Sequence, residues 1–203
     1  MTIERGKDWG KPAVLPAGGV VVATDAEARA AIEPARRDGR ELPPLGLLGG
    51  DLARTLGAPG DTARLQDGRA TGFPVDLGSA LLDGRQHWFV AHLIARRSWW
   101  RGRMVAVMNA EWVGDRDVAP RSHPNDGRLD VLDARLPWRQ RVLAYRRLRT
   151  GAHVPHPAIA ERRVAAWQTE FTPPLKVWLD GVSMGRVRSL AVRIEPDALF
   201  VVV

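Results

Sequence analysis

Three Asp-Gly pairs, Asp83-Gly84, Asp126-Gly127 and Asp180-Gly181, punctuate the later part of this 203-residue chain, and strand-like runs flank them. Asp and Gly tolerate positive φ, so such pairs are hairpin signals. The runs are Thr71 to Leu82, Gln86 to Ala95, Met104 to Val113, Leu129 to Leu132, Lys176 to Leu179, Arg186 to Ile194 and Leu199 to Val203. Short strands at this spacing predict antiparallel sheets in a sandwich or barrel. One helix interrupts the series. Trp138 to Arg149 is expected to turn Val142, Leu143 and Leu148 inward and arginines outward, until Gly151 stops it.

The first 60 or so residues have a different texture. Gly18-Gly19 leads into a Val20-Val21-Val22 strand. Thr24 or Asp25 can cap a helix that runs to Arg37, with Pro34 as a blemish within it. A second strand follows at Leu45 to Leu48, then a Gly49-Gly50 turn and a short helix from Leu52 to Leu56 begun by Asp51. This alternation suits parallel pairing. The predicted fold class is therefore α+β: an antiparallel β-sandwich over residues 63–203, a small N-terminal α/β remnant over 1–62, and one or two inserted helices.

Composition removes several chemistries. There is no cysteine, which excludes disulfides, thiolate metal sites and cysteine nucleophiles. Basic residues exceed acidic ones by 30 − 23 = 7, and only Lys7, Lys11 and Lys176 are lysines. An arginine excess speaks to partners and solubility, not to fold. No apolar stretch reaches the ~18 residues of a membrane span, and the candidate from Trp88 to Val113 is broken by His92, Arg96, Arg97, Arg101 and Arg103. With no secretory signal in the first residues, the expectation is a cytoplasmic protein, peripheral to a membrane at most.

Chemistry-bearing residues fall in four places. Asp126, in the turn Pro124-Asn125-Asp126-Gly127, is of the type that holds a hard cation such as magnesium, or that simply builds a hairpin. His123 lies just before it, and His153 and His156 sit in a loop whose prolines rule out a helix. Arg96, Arg97, Arg101 and Arg103 surround Trp99 and Trp100. That mixture suits an anionic membrane surface, nucleic acid, or packing over a core edge. Gly49, Gly50 and Asp51, before a helix, could present amides to an anion.

In order along the chain, these pieces resemble the bacterial diacylglycerol kinase family of soluble lipid kinases. Gly50-Asp51-Leu52-Ala53-Arg54-Thr55-Leu56-Gly57 is similar to that family's Gly-Thr-Gly-Asn-Asp-Phe-Ala-Arg-x-Leu-Gly. Phe73-Pro74-Val75-Asp76-Leu77-Gly78 resembles its next strand. Pro124 to Asp130 resembles its Asp-Asp-Gly-x-Leu-Asp turn, Leu179-Asp180-Gly181 its Leu-Asp-Gly-Glu, and Ile194 to Leu199 its closing strand. The resemblance implies the end of an NAD-kinase-like nucleotide domain followed by an antiparallel sandwich. It also implies a structural magnesium at Asp126 and a lipid ligand.

The departures from that pattern bear on catalysis. In place of the family's Gly-Gly-Asp-Gly-Thr loop the chain has Ala23-Thr24-Asp25-Ala26-Glu27. The second loop has lost its threonine and asparagine. The family's general-base glutamate is Val182, which cannot accept a proton. ATP is therefore not expected as a cofactor. The expectation is a catalytically deficient relative that binds a lipid or lipid-like molecule, or pairs with a kinase. An active lipid kinase with Asp180 as base is the first alternative, and a basic nucleic-acid-binding module the second. A homodimer is expected because an uncovered sheet edge readily pairs.

Overall fold

A computed structural model describes residues 9–98 and 101–203. Trp99 and Trp100, two of the candidate surface residues, lie outside the described residues. The strands are β1 (Lys11–Ala13), β2 (Val20–Val22), β3 (Leu45–Leu47), β4 (Ala70–Leu82), β5 (Arg85–Phe89), β6 (His92–Arg96), β7 (Met104–Met108), β8 (Trp112–Val113), β9 (Arg116–Asp117), β10 (Leu129–Ala134), β11 (Ile159–Val164), β12 (Ala166–Leu179) and β13 (Val182–Val202). The helices are α1 (Asp25–Arg37), α2 (Asp51–Thr55), α3 (Arg64–Asp67) and α4 (Trp138–Arg147), with a 3₁₀ turn at Leu148–Thr150.

The principal sheet runs β1-β4-β13-β12-β6-β7-β10-β11, with every neighbouring pair antiparallel. It curls over itself as a sandwich. Leu190 and Val192 of β13 therefore share one apolar core with Val105 and Val107 of β7, closed by Phe89, Phe171 and Leu179. The mainly antiparallel α+β sandwich predicted from the turn spacing is the observed architecture.

The N-terminal strands are joined to that sheet. β2 pairs with β3 in parallel, and β3 pairs in parallel with the end of β13, Leu45 opposite Val201. Helices α1 and α2 pack Ile32 and Leu52 onto Val75, Leu77, Val90 and Leu199 of the sandwich. Thr24 caps α1, its hydroxyl accepting from the N–H of Glu27 at 3.1 Å. The helix continues through Pro34, as the sequence allowed.

Two predicted strands are divided and two are merged. The run Gln86 to Ala95 breaks at Val90-Ala91, giving β5 and β6, and Met104 to Val113 breaks after Met108. The first break is held by Asp180, distant in sequence, and the second begins at Asn109, whose side chain reaches back to the first. Arg186 to Ile194 and Leu199 to Val203 form one strand, β13. Its irregularity lies between Glu195 and Leu199, where Asp197 takes φ 51°.

Helix α4 also departs from expectation in its facing. Leu143, expected inside, is 49% exposed, while Arg141 is buried. Ala144 and Leu148 point inward with it. The helix can bury an arginine because three backbone carbonyls meet its guanidinium: Leu136 at 2.8 Å, Ser98 at 3.5 Å, and Gly102.

Candidate functional site

The β5–β6 break, the α1 start and the α2 start converge on one buried polar cluster. Asp180 follows β12 with φ 48°, and its carboxylate is 5% exposed as a residue. One carboxylate oxygen accepts from the N–H of Val90 at 2.9 Å. The other accepts from Ala91 at 2.9 Å and His92 at 3.0 Å. The Asp180 N–H returns a bond to the His92 carbonyl at 2.9 Å. Asn109, fully buried, donates both side-chain N–H bonds to the carbonyls of Asp76 and Val90 at 2.8 Å. These bonds satisfy backbone groups that the ladder leaves unpaired at the break.

His92 begins β6 and reaches across to α2, its Nε2 2.9 Å from an oxygen of Asp51. The other Asp51 oxygen accepts from the N–H of Gly114 at 2.7 Å. Asp25, at the start of α1, accepts from the N–H groups of Asp51 at 2.5 Å and Leu52 at 3.1 Å. Of the amides at this turn, those of Asp51 and Leu52 are thus given to an internal carboxylate and not to an external anion. A Cβ at Gly50 would lie 2.6 Å from that carboxylate, and Gly50 has φ +98°, so glycine is what lets the two loops meet.

Burial pushes the Asp25 carboxyl up to about 6, and the charge of Asp180 adds to that. Burial also raises Asp180, against the opposing pull of His92 and the three backbone donors. For His92 burial works downward, but the bond to Asp51 and the charges of Asp180, Asp51 and Asp25 outweigh it, so its pKa is raised. His92 is the basic group among these three acids. Ligand atoms of Asp25, Asp51 and His92 lie within 4.8 Å of one another. Both oxygens of Asp25 and of Asp51 face nitrogen donors, and His92 Nε2 is taken up by Asp51, so the cluster is bonded within itself and does not present a donor set to a cation.

The second acidic turn is built differently. Asp76 of β4 is buried and accepts from Gly127 at 2.7 Å and Asp197 at 2.9 Å; burial lifts its carboxyl to about 6. Asp126, the residue expected to hold magnesium, accepts from the N–H of Arg128 at 2.9 Å and from Arg163. Arg163 also bridges to Asp130 at 3.3 Å. Both Asp126 oxygens face nitrogen donors, so this donor set does not fit a hard divalent cation. The positive charge at the turn is a guanidinium.

His153 and His156 are apart from these clusters, while His123 lies beside the acidic turn, where the charges of Asp126 and Asp76 act on it. Asn125 donates its N–H to His123 Nδ1 at 3.3 Å, and the His123 ring packs on Trp9. His156 Nδ1 accepts from Ala158 at 3.1 Å. His153 is buried with Nε2 3.1 Å from the Val118 carbonyl, and burial lowers its pKa.

His153 also lines an apolar cavity of about 320 Å³ between the sheet and α4. Its walls include Ile94, Met104, Ala106, Leu132 and Ile159 from the sheet and Ala144 and Leu148 from the helical side. The β8–β9 turn closes one end through Gly114, Asp115 and Arg116. Arg116 stacks over the Tyr145 ring at 4.4 Å, and Arg54 from α2 stacks on Trp112 at 3.7 Å while donating to the Gly114 carbonyl. The Gly114 amide thus links the cavity wall to Asp51 and, through it, to His92.

Among the predicted surface arginines, Arg103 is paired with Asp133 at 2.7 Å, Arg96 stacks over Trp178 at 4.4 Å, and Arg97 and Arg101 are exposed. Sequence reasoning missed His92 and Asn109. The only signal for either was a polar residue inside an apolar strand run.

An antiparallel sandwich with a parallel two-strand extension and a buried acidic junction defines an NAD-kinase-like β-sandwich. The chain belongs to the family of the YegS C-terminal NAD kinase beta sandwich-like domain, which matches residues 73–203. A solved structure of a diacylglycerol kinase from Bacillus anthracis str. Sterne superposes with TM-score 0.61 at 16% identity, covering 91% of this chain and 75% of that one. Two structures of a candidate diacylglycerol kinase from the same organism give TM-scores of 0.67 and 0.68 at 16% and 15% identity. Each covers 91% of this chain and 77% of the other. At such identities the likeness is one of fold, and the fold is diacylglycerol-kinase-like. Among curated proteins none matches the chain. No helix among the described residues is long and apolar enough to cross a membrane.

Proposed function

We propose that this chain is a lipid-binding member of its family that does not itself transfer phosphate. The observation that carries the proposal is the 320 Å³ cavity under α4, walled by aliphatic side chains and ending at the Gly114 amide that Asp51 holds. A cavity of that size and lining falls at the lower end of the usual range for small-molecule sites. It suits one aliphatic chain, with the polar end of the ligand toward Arg116 at the β8–β9 turn. Each buried methylene is worth about 0.8 kcal/mol, so a chain of several carbons supplies useful affinity without charged contacts.

The polar cluster supports the second half of the proposal. A nucleotide phosphate near α2 would meet Asp25, Asp51 and Asp180, and the Asp51 and Leu52 amides at the helix start are bonded to Asp25. Phosphoryl transfer rests on positioning and on stabilising negative charge, and this arrangement supplies neither. Asp180, the alternative base, is occupied by three backbone donors.

Mass spectrometry of organic extracts of the purified protein tests the binding. A single-chain or acylglycerol lipid at near-stoichiometric yield is expected from the native chain, and little from Ala106→Phe, which fills the cavity. Equal lipid from both proteins would remove the proposal. Transfer of radioactive phosphate from ATP to an acylglycerol by the purified chain would overturn the non-catalytic half.

A further inference from the structure

A second cavity, of about 240 Å³, opens beside the acidic turn and shares no lining residue with the one under α4. Its walls come from separate parts of the chain, each fixed by its own contact. Strand β1 pairs with β4, Lys11 opposite Gly72, and this brings Trp9, just ahead of β1, onto Phe73. The two ring centroids are 4.6 Å apart and the planes tilted by 52°. Gly10 permits the approach, since a Cβ there would overlap the Phe73 ring. Trp9 also meets the His123 ring, at 4.8 Å and 59°. Pro124, next in the wall, is held to β4 by the Asp76 N–H, which donates to its carbonyl at 2.7 Å. Leu56 adds an aliphatic side chain from the end of α2.

The remaining wall is acidic. Glu111 follows β7, and its N–H donates to the Thr55 hydroxyl at 3.0 Å, which itself donates to the Asp51 carbonyl at 2.8 Å. The backbone of Glu111 is thereby fixed to α2. Its side chain is half-buried, and among the described residues its carboxylate has no hydrogen bond or ion pair. It lies close enough to Asp117 for its charge to help lift that carboxyl. Although the chain carries 30 basic residues, no lysine or arginine lines this cavity. The guanidiniums that act on Asp117 and His123 are already engaged. Arg54 stacks on Trp112 and donates to the Gly114 carbonyl, and Arg163 pairs with Asp126 and Asp130. Burial lowers the His123 pKa, so its ring adds no charge at neutral pH.

An anion in this cavity would meet an unneutralised carboxylate and no positive charge. A neutral apolar molecule would leave Glu111 half-buried without a partner. A cation with an apolar body uses both walls, because aromatic faces attract cations, tryptophan most strongly, and the carboxylate supplies the counter-charge. We propose that the cavity between Trp9, Phe73, His123 and Glu111 binds a small organic ammonium ion. Its volume lies just below the usual range for small-molecule sites, which limits the guest to an ion of roughly choline size. The site is independent of the lipid cavity and stands whether or not that reading holds.

Titration calorimetry tests this with choline, ethylammonium, adenosine and the neutral analogue of choline that carries a tert-butyl group in place of trimethylammonium. Choline or ethylammonium is expected to bind, and the neutral analogue at least ~10-fold more weakly than choline. Glu111→Gln keeps the side chain's size at a position without a bonded partner, so its thermal midpoint should stay near that of the native chain. It should weaken ammonium binding ~10-fold. Trp9→Ala should weaken it by a similar factor and Trp9→Phe by less, because a smaller ring face remains. Amide resonances of Phe73 and His123 should shift during the titration of the native chain. Equal affinity for choline and its neutral analogue would overturn the proposal, as would ammonium binding that neither Glu111→Gln nor Trp9→Ala weakens. Absence of binding by both ammonium ions at ~10 mM, where a millimolar site would be mostly filled, would also overturn it. Adenosine bound in their place, with an affinity that Glu111→Gln leaves unchanged, would assign the rings to a planar base instead.

Discussion

His92 Nε2 lies 2.9 Å from Asp51 Oδ2, a contact that ties the first residue of β6 to the first turn of α2 across 41 residues of sequence. It joins the N-terminal α/β layer to the sandwich by a charge pair that is almost fully buried on the histidine side. Removing one member of such a pair leaves the other charge without a partner.

His92→Ala should therefore destabilise the chain by about 3–5 kcal/mol, the range for breaking a buried pair. Asp51→Asn should be milder, because the amide oxygen can still accept from Gly114. The His92 pKa is raised on folding, so its contribution is fully present below the ordinary value of 6.5 and is lost as pH rises through the raised value. Urea unfolding on either side of that window measures both effects, and His92→Ala should lose this pH dependence. An undiminished slope in the variant would show that the charge lies elsewhere.

Asp180→Asn is expected to cost about 1–3 kcal/mol, although it keeps size and shape. Three backbone N–H groups point at the carboxylate, and the amide would turn a donor toward at least one of them. Proton exchange should accelerate at Val90, Ala91 and His92 and remain native-like at Val187 and Leu190. Uniform exchange throughout would contradict a local role at the β5–β6 break.

Gly50→Ala brings a Cβ to within 2.6 Å of the Asp25 carboxylate at a residue with φ +98°. The expected loss is about 1–3 kcal/mol, the scale of a strained backbone position. Gly57→Ala, also at positive φ but with open space around its Cβ, should lose less. The difference between the two midpoints measures the close approach of the α1 and α2 starts, apart from conformational strain.

The acidic side of the pH profile has a definite sign. Asp25, Asp76, Asp117 and Asp130 are each lifted from 3.8 to about 6, with burial the first cause. An acid raised on folding binds its proton more tightly in the folded state, so these four favour folding most below about pH 4 and progressively less up to about pH 6. Glu33, Asp67 and Asp83 are lowered and act the opposite way; Asp67 and Asp83 are exposed to solvent, and Glu33 is half-buried, as Asp117 is. Asp130→Asn should flatten the decline between about pH 4 and 6 in denaturation midpoints. A steeper decline would show that Asp130 is stabilised as a carboxylate by Arg163.

The sandwich was legible because its signals are local. An Asp-Gly pair needs no distant partner to turn a chain, and all three pairs lie at or beside strand ends. The helix at Trp138 was legible for the same reason, but its facing was not. Leu143 was expected inside by hydropathy, and Arg141 takes the inner position instead. No local rule anticipates that three carbonyls from the hairpin tip and the preceding loop will meet there. His92 and Asn109 were invisible for a related reason. Each is one polar residue in an apolar run, and its partners lie 19 to 41 positions away.

The sequence by itself determined most of the strand runs, though not β1, β11 or the first part of β12, and with them where the chain reverses, the surplus of arginine and the loss of the family's glycine loops and base. Those follow from backbone preference and side-chain type, which each residue carries with it. Only the tertiary structure decided that Asp25 would cap α2 in place of an external anion, that Arg163 would supply the charge at the Asp126 turn, and that α4 would roof a cavity with an arginine face toward solvent. These outcomes depend on which groups are brought within about 3 Å of one another after burial, where hydrogen-bond geometry and desolvation set the energies.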